Sequence, residues 1–348
     1  MKKNILILFG GESGEYDVSC ISAGSVLANI NKDKYNIIKI GITRRGEWFM
    51  TDASPDEISK GAWEALPKKK ALVSPDKSHR GIVVIENHAA RVIPVDAVFP
   101  VMHGTHCEDG CLQGLFELSG IPFVGSGVLS SAVCMDKGVA KLVFDEVGIP
   151  QVKWLLIEKS ELEYAPQKVE EVFSYPVFVK PSGAGSSLGA SSASDRVGLV
   201  RALENAAEHD NRILVEEFVP AREIECSVLG NQNPATSVLG EIIPSNEFYD
   251  YNAKYIDNAS VLKIPAPLDN ETTEKIREYA ALAYRAAGCK GLARVDFFIH
   301  KTYGEIYLNE INTIPGFTSI SMYPKLWEAS GLPYSKLIDT LLELACEN

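Results

Sequence analysis

Residues 293–312 read ARVDFFIHKTYGEIYLNEIN, two alternating runs, Ala293–Ile299 and Glu305–Ile311, joined by the turn Lys301-Thr302-Tyr303-Gly304. Side chains on a strand alternate between faces, so Arg294 and Asp296 share one face, as do Glu310 and Asn312. A short turn makes the two strands hairpin neighbours. The four polar groups then converge on one surface while the residues between them face a core. Asp, Glu and Asn supply the oxygen donors that Mg²⁺ prefers and leave room for water and phosphate oxygens. Arg294 would be a fixed cation at the same place, suited to charge developing on a transferring phosphoryl group. The competing reading is a solvated outer face of an antiparallel hairpin. The next loop, Asn312–Ser319, favours a site, because Gly316 permits close backbone approach and its N–H can stabilise an oxyanion.

Upstream, the strand-like run Tyr175–Lys180 leads into Gly183–Gly189, rich in glycine and serine. A lysine at a strand end followed by such a loop can contact phosphates through its ammonium, backbone N–H groups and hydroxyls. It is not a GxxxxGK[ST] phosphate loop, and a flexible linker is the plain alternative. Glu216 and Glu217 end another strand-like run, with Glu223 beyond; a carboxylate there can accept hydrogen bonds from an adenine amino group or ribose hydroxyls, although paired glutamates are usually just solvated. Gly10-Gly11-Glu12-Ser13-Gly14-Glu15 follows the first apolar run but lacks the GxGxxG spacing of a dinucleotide loop. Glu15 at that turn can hold a substrate ammonium or simply complement a helix N-terminus. In residues 102–110, His103 and His106 beside Glu108 and Asp109 read either as a metal site or as a loop-to-helix junction. Within the long polar stretch Pro244–Ser260, Lys254 and Tyr255 can close over a phosphate and an amino acid, or be solvated surface groups.

The chain has 348 residues, enough for two or three lobes, with 46% hydrophobic and 23% charged residues, the composition of an ordinary globular protein. Ile5–Phe9 is too short for a secretory or membrane-spanning segment and reads as the first buried strand. Seven scattered cysteines without a CxxC pair suit a reducing cytoplasm, and the net charge of −12 argues against a nucleic-acid surface. Tyr35–Ile42 and Val95–Pro100 continue the strand pattern, with helices expected at Ser19–Ile30 and Cys111–Leu118, as in a parallel α/β sheet. Thr51–His79 is polar and proline-punctuated and reads as a surface excursion with little site chemistry. One helix is expected from Ser130 through Val147, another over Glu271–Ala287, and a single helix at the C-terminus.

Taken in order, these segments resemble the D-alanine–D-alanine ligase family of the ATP-grasp fold, which includes ligases making D-Ala–D-Lac or D-Ala–D-Ser. The most specific matches are Gly125-Ser126-Gly127 through Met135-Asp136-Lys137, Lys180 to Gly189, Asp250 to Tyr255, Arg294 to Asp296, and Leu308 to Gly316. The resemblance covers essentially the whole chain. It implies a three-lobed α/β (α+β) fold with a parallel α/β substrate-binding domain over 1–127, a central lobe over 128–218 and a C-terminal lobe over 219–348. The nucleotide would lie between the last two lobes. It further implies that Lys137, Lys180 and Lys254 contact ATP phosphates, Glu216 and Glu223 the adenosine portion, and Asp296, Glu310 and Asn312 two Mg²⁺ ions, with Mn²⁺ as a substitute. Arg294 and the Gly316 N–H would stabilise the phosphoryl-transfer and tetrahedral states. Glu15 would hold the first ammonium, Ser321 and the Met322 backbone the second carboxylate, and Glu15, Ser186 and Tyr255 would form a lid-tethering triad.

The implied activity is ATP-dependent joining of two D-alanines through an acyl phosphate for peptidoglycan synthesis, by a cytoplasmic homodimer without nucleic-acid or membrane partners. D-serine as second substrate is the alternative. Tyr16 after Glu15 resembles D-Ser-forming members, Met322 resembles D-Ala–D-Ala enzymes, and Tyr255 speaks against lactate. Gly183 and Ala184 replace a stretch that usually includes Arg, Cys107 stands where the family pattern has Gly, and Ile320 takes a position often held by His or an aromatic residue.

Overall fold

Ile5–Phe9 are apolar on both faces, and in the computed structural model all five are buried. That is the environment of a central strand in a sheet covered on both sides. The structure describes residues 2–185, 188–243 and 261–347. Strand β1 (Lys3–Gly10) leads through helix α1 (Tyr16–Asn29) to β2 (Tyr35–Ile42), which pairs with it in parallel. Next come β3 (Trp48–Thr51), α2 (Pro55–Ser59), β4 (Lys68–Val73), β5 (Gly81–Glu86), β6 (Ala89–Pro94), β7 (Ala97–Val101) and α3 (Cys111–Ser119). The sheet order is β6-β5-β4-β3-β2-β1-β7. Only β2, β1 and β7 are parallel; β3 to β6 extend the sheet as antiparallel hairpins.

Thr51–His79 is therefore not the surface excursion expected from its polarity. Ser54 starts α2 with a reciprocal capping box to Glu57. The following 3-10 turn, Ala62–Ala65, drives Trp63 fully into the core, edge-on to Phe9 with ring centroids 5.2 Å apart. Gly41 makes room for that indole, since a Cβ there would fall 2.5 Å from the ring. Short elements broken by proline hid this packing from any periodicity test.

The expected helix over Ser130–Val147 is two helices, α4 (Val128–Met135) and α5 (Lys137–Glu146). Asp136 separates them with an extended backbone, and its carboxylate accepts from the Val139 N–H as N-cap of α5. The same carboxylate takes the Ser182 hydroxyl at 2.6 Å and pairs with Arg212. A second sheet, of order β10-β9-β11-β8, consists of β8 (Trp154–Glu158), β9 (Val177–Pro181), β10 (Ser191–Ala193) and β11 (Arg212–Glu217). Between these strands run α6 (Ala165–Val172) and α7 (Arg196–His209), which pack on it.

The third sheet, of order β14-β13-β12-β15-β16, contains β12 (Ala221–Leu229), β13 (Ala235–Ile243), β14 (Val261–Lys263), β15 (Leu292–His300) and β16 (Ile306–Asn312). Helix α8 (Asn270–Ala286) covers one face, burying Ile276, Ala280 and Tyr284 with Cys226, Val295 and Ile311. The C-terminal segment forms two helices, α9 (Met322–Ala329) and α10 (Tyr334–Ala345), where one was expected. The turn at Ser330–Pro333, with Gly331 in the left-handed region, redirects the chain. Phe317, Tyr323, Trp327, Leu337 and Leu341 then join Phe9, Phe99 and Trp63 in one core. Among the described residues no helix is long and apolar enough to cross a membrane.

Replacing Trp63 with alanine should lower the unfolding free energy by about 3–5 kcal/mol, the usual cost of emptying a large aromatic site. Urea titration of the purified variant checks this; an unchanged midpoint would mean the segment packs elsewhere.

Candidate active site

The second and third sheets and loops that follow strands of the first border one cleft of about 1010 Å³. The register of the third sheet explains its floor. Arg294 lies opposite Asn312, Val295 opposite Ile311, and Asp296 opposite Glu310. Val295 and Ile311 turn into the core, so the polar residues between them occupy the other face, as alternation requires. Arg294, Glu310 and Asn312 line the cleft, and Asp296 opens on an adjoining recess of about 40 Å³ with Glu223, Glu225, Arg294 and Glu310. Asp296 accepts a two-pronged contact from Arg294, at 2.8 and 2.7 Å, and a third bond from the Asn312 amide at 2.9 Å.

The second sheet brings lysines to the same cleft. Lys137, the first residue of α5, reaches the Ala184 carbonyl at 2.8 Å and lies 3.7 Å from Glu310. Lys180, next to last in β9, sits 2.7 Å from Glu216 and 3.5 Å from the Asn309 amide oxygen. Glu216 itself does not border the cleft; Glu217, Phe218 and Glu223 do. Its two oxygens are taken by Lys180 and by Lys141, 2.8 Å away and only 1% exposed. Burial by itself would lift the Glu216 carboxyl, but Lys141 and Lys180 outweigh it and hold the carboxyl at about 2.

From the first sheet come Glu15, His103 and Glu108. Glu15 is the N-cap residue of α1, and its carboxylate lies close to Gly104 and Gly185: a Cβ there would come within 2.7 and 3.4 Å of it. His103 and His106 do not share a metal. The His103 Nδ1–H donates to the Ile314 carbonyl at 3.0 Å, and burial pushes this imidazole toward the neutral form. Glu108 accepts the N–H groups of Gly104 and Ile314, at 2.8 and 3.2 Å. Burial and the nearby Glu15 push its carboxyl up to about 8, against those two bonds. His103 and Glu108 thus fasten the 312–316 loop to the first sheet. Phe317 completes the attachment by packing edge-on to Phe99, which fixes Gly316 at the cleft wall.

At the far end, Ser321 precedes α9, and its hydroxyl oxygen accepts the Thr318 N–H at 2.9 Å. Met322 is buried against Ile242 and Leu326 while bordering the cleft, and its sulfur lies where a Cβ on Gly240 would come within 2.7 Å. Tyr16 points away from the cleft. Its hydroxyl donates to Glu64 and accepts the Trp63 indole N–H at 3.0 Å, and Arg44 stacks over its ring. Ser186, Lys254 and Tyr255 lie outside the described residues.

Comparison with known proteins agrees with this arrangement. Family descriptions for the D-Ala–D-Ala ligase N-terminus and C-terminus match residues 4–126 and 143–343. The chain belongs to the D-alanine–D-alanine ligase family. D-alanine–D-alanine ligases of Acetivibrio thermocellus and Ruminiclostridium cellulolyticum are each 52% identical to it, over 99% of this chain and 96% of theirs. Among solved structures, the VanG D-Ala:D-Ser ligase of Enterococcus faecalis superposes with a TM-score of 0.91 at 42% identity, covering 99% of this chain and 100% of that one. The D-alanine–D-alanine ligase of Coxiella burnetii gives 0.86 at 35% identity, with coverage of 99% and 94%. The fold is that of the ATP-grasp enzymes, and the family's members are ATP-dependent ligases.

Within this family frame, residue-by-residue reading passed over Lys141, Glu225, Asn309 and the Arg222–Glu241 pair. Glu225 alternates with Glu223 on β12, so a period-two count would have found it. Lys141 carried no such signal, because a lysine on an amphipathic helix is normally solvated.

The Glu216 pairing has a consequence for acid stability. A carboxyl depressed in the folded state contributes stability above its unfolded value near 4.3, and that stability is lost as pH falls toward about 2. Lys141→Met removes one of its two cations and raises the folded value, so acid unfolding should begin at higher pH. Circular dichroism between pH 6 and pH 2, compared with the native chain, reads the shift; an unmoved transition would remove Lys141 from this role.

Proposed function

We propose that this chain joins two D-alanine molecules with ATP, through a D-alanyl phosphate, to make a dipeptide for peptidoglycan. The observation that carries this reading is full-length identity of about half to D-alanine–D-alanine ligases. Lys137 and Lys180 hold the ATP phosphates, with Glu223 near the adenosine portion. Glu216, given the adenosine role by the resemblance, is better read as the anchor of Lys180, because both its oxygens are already paired. The nucleotide lies between lobe 128–218 and lobe 219–348, with lobe 1–127 presenting Glu15 to the first ammonium. The enzyme works as a cytoplasmic homodimer.

The donor set suits a hard divalent cation: two carboxylates and a carboxamide on paired strands. Asp296, Glu310 and Asn312 would hold Mg²⁺, as two ions, and Mn²⁺ could replace it. When bound, it offsets the negative charge of the phosphates and of the transferring phosphoryl group. The first D-alanine carboxylate attacks the γ-phosphorus, the bond to the β-phosphate oxygen breaks, and ADP leaves. The neutral amine of the second D-alanine attacks the acyl-phosphate carbonyl, and inorganic phosphate departs as the amine loses a proton. Arg294 and the Gly316 N–H face the negative charge that builds in these two steps. Ser321 and the Met322 backbone receive the second carboxylate. The resemblance assigns Glu15, Ser186 and Tyr255 a shared hydrogen-bonding role and Lys254 a phosphate contact, which together would keep water from the acyl phosphate.

D-serine as second substrate is favoured by one observation, the close superposition on a D-Ala:D-Ser ligase. Tyr16 adds nothing to it, because its hydroxyl is engaged by Glu64 and Trp63.

Given equal D-alanine and D-serine with ATP and Mg²⁺, the product should be mainly Ala–Ala by mass spectrometry; a majority of Ala–Ser would select the second reading. Glu310→Gln should cut Mg²⁺-dependent phosphate release by roughly 100-fold, since replacing even groups behind a metal ligand costs about 10- to 100-fold. Turnover near that of the native chain would remove Glu310 from the metal set.

A further inference from the structure

Glu225 has no role in the scheme above, yet it stands in the same row as two of the metal candidates. β12 pairs with β15 so that Glu225 is opposite Asp296, and Asp296 is opposite Glu310 on β16. Three carboxylates thus lie abreast on strands roughly 4.8 Å apart, an arrangement that repels unless cations answer it. Glu225 is 5% exposed and borders both the cleft and the recess. Its Oε2 is 3.0 Å from the Arg294 Nε, and that Nε is also 2.8 Å from Asp296 Oδ1. The Nε–H is donated to Asp296, and Glu225 Oε2 lies beside the guanidinium as an ion-pair partner without accepting that N–H. The other prong of Arg294, Nη2, reaches Asp296 Oδ2 at 2.7 Å, an oxygen that also accepts the Asn312 amide.

Asp296 thus offers Arg294 the same oxygen lone pairs that a divalent cation would need. A cation binding Asp296 would compete with the guanidinium for those oxygens, and a guanidinium pushed aside with no second anion beside it would resist or swing away. We infer that Glu225 is a positioning residue that receives Arg294 when Asp296 turns to the cation. It holds the guanidinium at the cleft wall and lowers the cost of emptying Asp296. This inference rests on the metal assignment made above, and it assigns Glu225 no contact with substrate.

Mn²⁺ serves as the probe, titrated into the full-length protein with ADP, with free Mn²⁺ read by electron paramagnetic resonance. Glu225→Gln should weaken Mn²⁺ binding about tenfold, because Arg294 then stays on Asp296. Arg294→Met should tighten Mn²⁺ binding. In the Arg294→Met background, adding Glu225→Gln should change affinity by less than about twofold, since its effect passes through Arg294. An equal loss in both backgrounds would show that Glu225 acts only by its own charge and would overturn the inference, as would no loss in either. Glu225→Asp is carried through the same cycle, with thermal unfolding as a folding check, and should show a smaller loss that also vanishes with Arg294→Met. Mn²⁺ bound as tightly by Asp296→Asn as by the native chain would instead sink the metal assignment itself.

Discussion

Carboxylates placed side by side on adjacent strands must be neutralised, and the row Glu225–Asp296–Glu310 sets that demand at the centre of this molecule. Arg294 answers two of the three, and Lys137 approaches the third from the second sheet. Lys137 is available because Asp136 ends α4 and caps α5 at that point. Lys180 reaches the same cleft because Glu216, itself steadied by the buried Lys141, holds it. The row is thus answered by a cation on its own sheet and by one at the start of α5. A repulsive floor of this kind is costly for folding, and it is the kind of surface that would draw in the cations proposed for it.

The walls obey a different constraint, which is attachment. The 312–316 loop leaves the last strand of the third sheet but is fastened to the first sheet by His103, Glu108 and Phe317. Glu15, in the turn between β1 and α1, lies against Gly185 in the loop after β9. Among the described residues, two walls of the cleft are thus attached to the surroundings of more than one sheet. A backbone donor serves a reaction well only when it cannot drift, and this fastening would keep the Gly316 N–H fixed in the role proposed for it.

The polar hairpin was legible in the sequence because strand alternation is local: Arg294, Asp296, Glu310 and Asn312 fell on one face without any knowledge of the partner strands. Tyr35–Ile42 matched its strand residue for residue for the same reason. Trp63 was not legible, because a capping box and one 3-10 turn bury it with no repeating pattern. Nor were the partners of Glu216 and Tyr16, since charge and hydroxyl placement depend on residues 30 to 80 positions away. The break at Asp136 was passed over although an N-cap residue and Gly138 both stand there, because the apolar spacing continues across it. The resemblance to a ligase family supplied the roles; spacing alone left metal face and solvated face both open.

Helices α9 and α10 return from the third sheet to complete the core begun by β1 and α1. Leu337, Ile338 and Leu341 pack with Ile5, Phe9 and Val26, more than 300 residues earlier in the chain. During synthesis the first sheet leaves the ribosome long before the helices that cover it exist. Its apolar face must wait, collapsed or chaperoned, until the last helix has been made. The residues of β1 and α1 therefore share their core with the chain's far end, and without α9 and α10 that apolar face would lack part of its cover.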